Sequence, residues 1–374
     1  MKKRCKNANK GLHIIAISVI LFATILSGGC VKTKAYESEV NERIDGAIDD
    51  FYDAVPEGAP NINGVTDVSE SLGVKHILAE VIAAIRDGSD ELVALTITLL
   101  GIALICTLAS LSEGELSPYA TGAVCAVSAA LLFERLIFLA KGTVSALSEI
   151  NSFFGAVIPI SLAVNSLGAS PTTASTQAVG MGLTLSAYSF ITERMLGGVT
   201  GAIFISSALS SVDPAFSRIA RSVKNLFTWM LGIVTLLLGA TFALQSTISA
   251  SADSIAMRGA KYAVSSAIPI VGGAVSGALG LVSGGIAYAR GIVGGGAIAV
   301  LLSLVISPLV TLLAYRFCLK LGVTFCSFCS IDSCERIFSA FSGAIDALIA
   351  VYALSAAIYL TELAAFLKGG ANLA

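Results

Sequence analysis

Four cysteines near the C-terminal end, Cys318, Cys326, Cys329 and Cys334, form the pattern C-x7-C-x2-C-x4-C. Thiols this close invite a zinc or disulfide reading, but a closed zinc site needs four ligands, usually as two spaced pairs, and no paired second half follows. On a helix Cys318 and Cys329 share one face while Cys334 faces away. With no histidine beside them, they read as free cysteines acting as small apolar residues. The chain has eight cysteines and two histidines; Cys106 and Cys125 fall in apolar runs, and His13 and His76 lie far from any cysteine in sequence. A Cys-His nucleophile pair is therefore not expected. His76 and Glu80 have the i,i+4 spacing of a metal pair, but two ligands are too few. No catalytic residue, metal or cofactor site is predicted.

A second pattern is glycine. Gly273, Gly277, Gly280, Gly284 and Gly291 recur at helical spacing within "VGGAVSGALGLVSGGIAYARG". A phosphate loop would need Lys and Ser or Thr after its last glycine, and a dinucleotide site would need a strand before it. Neither context is present. Aligned small residues instead let helix backbones approach closely, so the stripe is expected to pack helices within a subunit or between subunits.

Charged residues inside apolar runs are the third. Glu134 and Arg135 sit together in "AALLFERLIFLAK". A charge at the centre of a bilayer costs about 2.5 kcal/mol or more, so such residues either snorkel from a shallow helix end or mark a pore or subunit contact. Adjacent residues diverge by about 100° on a helix and are not expected to meet one neighbour. Asp346 and Glu362 are expected near the ends of their crossing, where solvent reaches them.

The elements that must carry these residues are helices in lipid. The chain is 55% hydrophobic and 13% charged, against about 25% charged for a soluble domain. A net charge of -2 gives no basic footprint for nucleic acid. Residues 1–35 read as an export signal: Lys2, Lys3, Arg4, Lys6 and Lys10 precede an apolar core from Ile14 to Leu26. Cleavage after Ala35 is the preferred reading, with lipidation at Cys30 and an uncleaved anchor as alternatives. Residues 36–91 form a short acidic region expected outside the membrane, built of two amphipathic helices separated by "VPEGAPNINGV".

Residues 92–374 are expected to form an all-α polytopic membrane domain. About nine runs are long enough to cross a hydrocarbon core of about 30 Å, near 92–112, 117–140, 153–170, 174–192, 195–212, 226–247, 266–288, 291–315 and 342–366. The third to fifth are short and broken by Pro159, "GASP" and "LGG", which invites re-entrant pieces. Counting from an external acidic region places Arg218, Arg221 and Lys224 in the cytosol, as the positive-inside rule requires. The same count puts Arg258 and Lys261, and also Arg316, Lys320 and Arg336, on the wrong side. Pro159 and Pro269 share an Ile-Pro-Ile context that suggests a parallel repeat.

The stretch "SADSIAMRGAKYAVSSAIPIVGGAVS" sets Asp253, Arg258 and Lys261 on an amphipathic helix before an Ile-Pro-x-x-Gly-Gly entry to the membrane. It resembles the stage III sporulation protein AE family of endospore-forming bacteria, and the overall plan resembles that family across nearly the whole chain. The resemblance implies a component of the sporulation channel complex joining mother cell to forespore, embedded in the mother-cell membrane. It implies as partners the other stage III A proteins and the Q protein of the forespore membrane. It carries no catalytic residues. Asp253, Arg258, Lys261, Pro159, Pro269, Glu134 and Arg135 are the positions expected at a pore or interface, in a homo-oligomer surrounded by lipid. The competing expectations are a stand-alone secondary transporter with a site at the helices holding Pro159 and Pro269, and an intramembrane enzyme. Few charge pairs and no nucleophile with a partner argue against both.

Overall fold

The computed structural model describes residues 38–57, 59–60, 64–110, 117–168, 171–209, 213–267, 272–329 and 331–368, of which 65–66, 109–110, 117–122, 125, 168, 171–173, 208, 214, 242–267, 272–283 and 333 are described in backbone only. The signal at 1–35 and Pro269 lie outside the described residues, so the repeat around Pro159 and Pro269 has only one of its prolines in view. Among the described residues there is no strand. The chain forms α1 (residues 38–54), α2 (Val65–Ser71), α3 (Val74–Asp87), α4 (Ser89–Ser110), α5 (Ser117–Gly168), α6 (Pro171–Phe190), α7 (Gly197–Leu209), α8 (Pro214–Ala267), α9 (Gly272–Phe328) and α10 (Asp332–Lys368). A π-helical segment, Ile191–Leu196, joins α6 to α7.

Among the described residues five helices are long and apolar enough to cross a membrane, over Ser89–Leu108, Ala126–Leu167, Ala215–Thr241, Gly284–Phe328 and Cys334–Leu367. This differs from nine separate runs because dips in hydropathy do not end a helix. In α5 the buried stripe of Leu132, Leu136, Thr143, Leu147, Phe154 and Val157 runs straight through the polar segment "KGTVSALSEINS". The 3.6-residue period is unbroken there, so the second and third expected crossings are one rod. The seventh and eighth likewise merge in α9, because Gly291 to Gly296 lower side-chain volume without supplying a turn. The 45-residue apolar stretch of α9 is about 67 Å long, more than twice a hydrocarbon core.

Pro159 does not break α5. Gly155 stands one turn before it, and a Cβ there would come within 3.2 Å of Leu185 of α6. That small residue lets α6 pack closely beside the proline, which supports the rod where one backbone hydrogen bond is missing.

Register follows from side-chain pairs. α6 runs antiparallel to α5, with Asn165 Nδ2 donating to Gln177 Oε1 at 2.8 Å and Ser161 beside Met181. α10 runs antiparallel to α9, from Gly322 against Phe338 to Gly294 against Phe366 and Leu367. α3 and α4 run alongside α9 in its own direction: Ser303 donates to Glu80, Tyr315 to Glu91 and Thr96 to Cys318. The N-terminal helices therefore pack against the bundle, with Ile44 of α1 near Gly285 and Val68 of α2 near Gly295. Val74, Leu78, Ile82 and Ile85 of α3 face outward and continue into the exposed apolar face of α4.

This arrangement brings Arg316 of α9 to the same level as Lys224 of α8. The basic groups of two stretches that disagreed in the sequence count thus lie at one level of the bundle.

Candidate functional site

Several charged side chains of the apolar helices lie at one level, on either side of α9 at Tyr315 and Arg316. Glu91, in the first turn of α4, accepts a short hydrogen bond from the Tyr315 hydroxyl. Beside it is an open cleft of about 780 Å³ between α4 and α5, lined by Glu91, Thr98, Glu134, Arg135, Phe138 and Lys141. Glu134 and Arg135 were not expected to face one neighbour, yet both border this cleft. A cleft spans more than one helix face, so two residues about 100° apart can frame its opposite edges.

Tyr315 is followed by Arg316, which turns to the other side of α9. There the Arg316 Nε forms an ion pair with Asp346 Oδ1 without hydrogen-bond alignment, and Lys224 Nζ donates to Asp346 Oδ2 at 2.9 Å. Three helices thus meet at one carboxylate. Asp346 is 24% exposed, Lys224 27% and Arg316 45%.

A second polar array lies inside the bundle. Tyr359 donates to Asn151 Oδ1 at 2.6 Å, stacks on Phe154 at 4.1 Å and meets Tyr188 edge-on at 5.8 Å. The Tyr188 hydroxyl pairs with Thr235 at 3.1 Å, and Thr184 donates to Glu362 Oε1 at 2.8 Å. Glu362 is only 4% exposed. This corrects the expectation that solvent reaches it: closeness to a helix end sets depth, but the helix face sets exposure. Tyr352, Ser355, Tyr359, Glu362 and Phe366 form a 3-4 stripe turned inward. That spacing was the available signal. Asp346 likewise lies well within its span and is ion-paired rather than simply solvated.

The remaining expected positions are dispersed. Asp253, Arg258 and Lys261 lie on the backbone of α8, but their side chains are outside the described set, as are the surroundings of Gly273, Gly277 and Gly280. Gly291 is half-buried, and a Cβ on Gly284 would meet nothing within 4 Å. Close approach occurs instead at Gly294, where a Cβ would lie 2.8 Å from Leu367 and Phe366, and at Gly295, 2.6 Å from Val68. Cys106, Cys318, Cys326 and Cys334 are buried and Cys329 is half-buried. Cys334 Sγ donates to Cys106 Sγ of α4 at 2.6 Å, a contact outside the four-cysteine pattern. His76 lies 3.5 Å from Glu80, and no group of three metal ligands occurs among the described residues.

Over the described residues these features define an all-helical protein of the membrane class, with a cluster of charges around Tyr315 and Arg316 and further polar groups hydrogen-bonded in the interior. A family model described as Stage III sporulation protein AE matches residues 61–370. The chain belongs to that family, and its role is in stage III of sporulation. No curated protein and no solved structure matches it.

Proposed function

We propose that the chain is a membrane-embedded core or platform of the channel complex joining mother cell to forespore, acting by binding or conduction rather than catalysis. The observation that carries this reading is the open cleft framed by Glu91, Glu134, Arg135 and Lys141 on helices otherwise apolar. Charges held in long apolar helices require partners or water, and an open cleft offers them to another protein or to a solute path. The expected partners are the other stage III A proteins and the forespore Q protein, with further copies of this chain, in the mother-cell membrane around the forespore.

The test is a photo-crosslinking residue in place of Phe138, which is 74% exposed at this cleft, in sporulating cells. Crosslinks to stage III A or Q proteins are the expected result; crosslinks to lipid alone would refute the interface. The transporter reading draws on the interior array of Glu362, Thr184, Tyr359 and Asn151. A strictly monomeric mass in detergent together with no captured partner would favour it.

A further inference from the structure

We infer that the groove between α8 and α9, floored by α10, binds an anionic phospholipid through its headgroup phosphate. Asp346 neutralises one of the two cations that meet it. Lys224 has three donors and Arg316 five, and Arg316 meets Asp346 through Nε, which leaves its terminal N–H groups for a further acceptor. Arg221 is one turn from Lys224, and Lys320 one turn from Arg316; each is exposed on the same side of its helix as its neighbour. Four cations therefore border the groove at the level of one carboxylate. The next acid on that face of α10, Glu335, is about three turns away.

Beyond the cations the groove is apolar and shallow-sided. Gly343, Ala350 and Ala353 form the half-buried face of α10, with Gly232 exposed on α8 and Leu313 exposed on α9. The stem of Lys224 lies over Gly343, at 3.6 Å from where a Cβ would stand. These small residues keep the face of α10 low between its neighbours, and the cations stand at one end of it. An excess of positive charge beside an apolar channel matches an amphipathic anion: a phosphodiester at the mouth and an acyl chain along Ala350 and Ala353. Because the apolar stretches exceed one hydrocarbon thickness, this layer can stand at headgroup level. Basic pockets of this kind between membrane helices select anionic headgroups.

The test uses the full chain purified in mild detergent, with phosphatidylglycerol and phosphatidylcholine of matched chains added in equal amounts. Native mass spectrometry should show phosphatidylglycerol retained over phosphatidylcholine by about fivefold or more, since each basic group near a surface is worth about that factor. Lys224→Gln with Arg316→Gln should abolish the preference, whereas Asp346→Asn should increase it. That opposite sign separates lipid recognition from general damage to the fold. Equal retention of both lipids by the parent chain would overturn the inference. So would a preference unchanged in the double variant, or thermal stabilisation by inorganic phosphate equal to that by phosphatidylglycerol. A second copy of the chain crosslinked through a cysteine at Ala353 would assign the groove to a helix instead and also overturn it.

Discussion

Asp346 and Glu362 are two carboxylates of one helix in one bundle, and their surroundings differ in every respect. Asp346 faces an outer groove, half shielded, held between Lys224 and Arg316. Glu362 faces the interior, takes a hydrogen bond from Thr184 and sits in a seam where Gly294 lets Phe366 and Leu367 close on α9. The sixteen-residue step from Asp346 to Glu362 turns the helix by about 160°, so the two residues occupy nearly opposite faces. Charge is retained where cations and water reach it. In the interior, where tight packing excludes water, the Thr184 hydroxyl supplies Glu362 with a partner. The helix face, more than depth along the helix, decides which chemistry a carboxylate meets.

The sharpest test of the two ends is all-or-none. In a background with reactive native cysteines removed, cysteine at Ser69 of α2 should react with an impermeant thiol reagent added outside, and cysteine at Ser217 of α8 should not. Val68 neighbours Gly295, whereas Ser217 lies near the basic end of α8. Labelling of both from one side would mean that these ends do not lie across a bilayer.

Packing should show the next largest effect. Gly294→Leu must displace Phe366 and Leu367, at a cost of about 3 kcal/mol, and should abolish accumulation or sharply lower the unfolding midpoint. At Gly343 an added Cβ meets only the Lys224 side chain, at 3.6 Å, so Gly343→Leu should be much milder. If the two are equal, the seam near Glu362 is not the tighter region.

Neutralising each carboxylate with its amide separates their roles. Asp346→Asn leaves two cations without a counter-charge and should destabilise the protein in zwitterionic detergent by about 1–2 kcal/mol, between the values for exposed and buried pairs. Glu362→Gln keeps an acceptor for Thr184 and should change stability by less than about 0.5 kcal/mol. Thermal unfolding read by loss of monodisperse protein measures both, and the reverse order would break the comparison.

A smaller loss, about 1 kcal/mol, is expected for Tyr359→Phe, which leaves the buried Asn151 Oδ1 without its donor. Ring stacking on Phe154 survives that change, so a loss above about 3 kcal/mol would mean that the hydroxyl organises more of the interior than this bond. Smallest of all, Gly284→Ala meets open space in the subunit and should leave isolated protein unchanged within about 0.5 kcal/mol. Loss of partner capture with unchanged stability would place that glycine at a contact between chains.

Composition and period already determined that this chain is helical and built for lipid, because hydrophobic content of this order can be satisfied only where backbone groups bond internally. The residues around "RGAKYAVSSAIPIVGG" carried the family. Glu134 and Arg135 were legible as misplaced charges from their apolar context alone. Their companions Glu91, Lys141 and Tyr315 were not, since a hydrogen bond between Tyr315 and Glu91 spans 224 positions and no local pattern encodes it. The same is true of Lys224 with Asp346, and of Gly294 against α10. Hydropathy along the chain reports how a segment partitions, not whether the helix turns at its polar dips or which neighbour shields each face. Tertiary packing decided those, because helix continuity follows the buried 3-4 stripe and burial follows the register in which the rods meet.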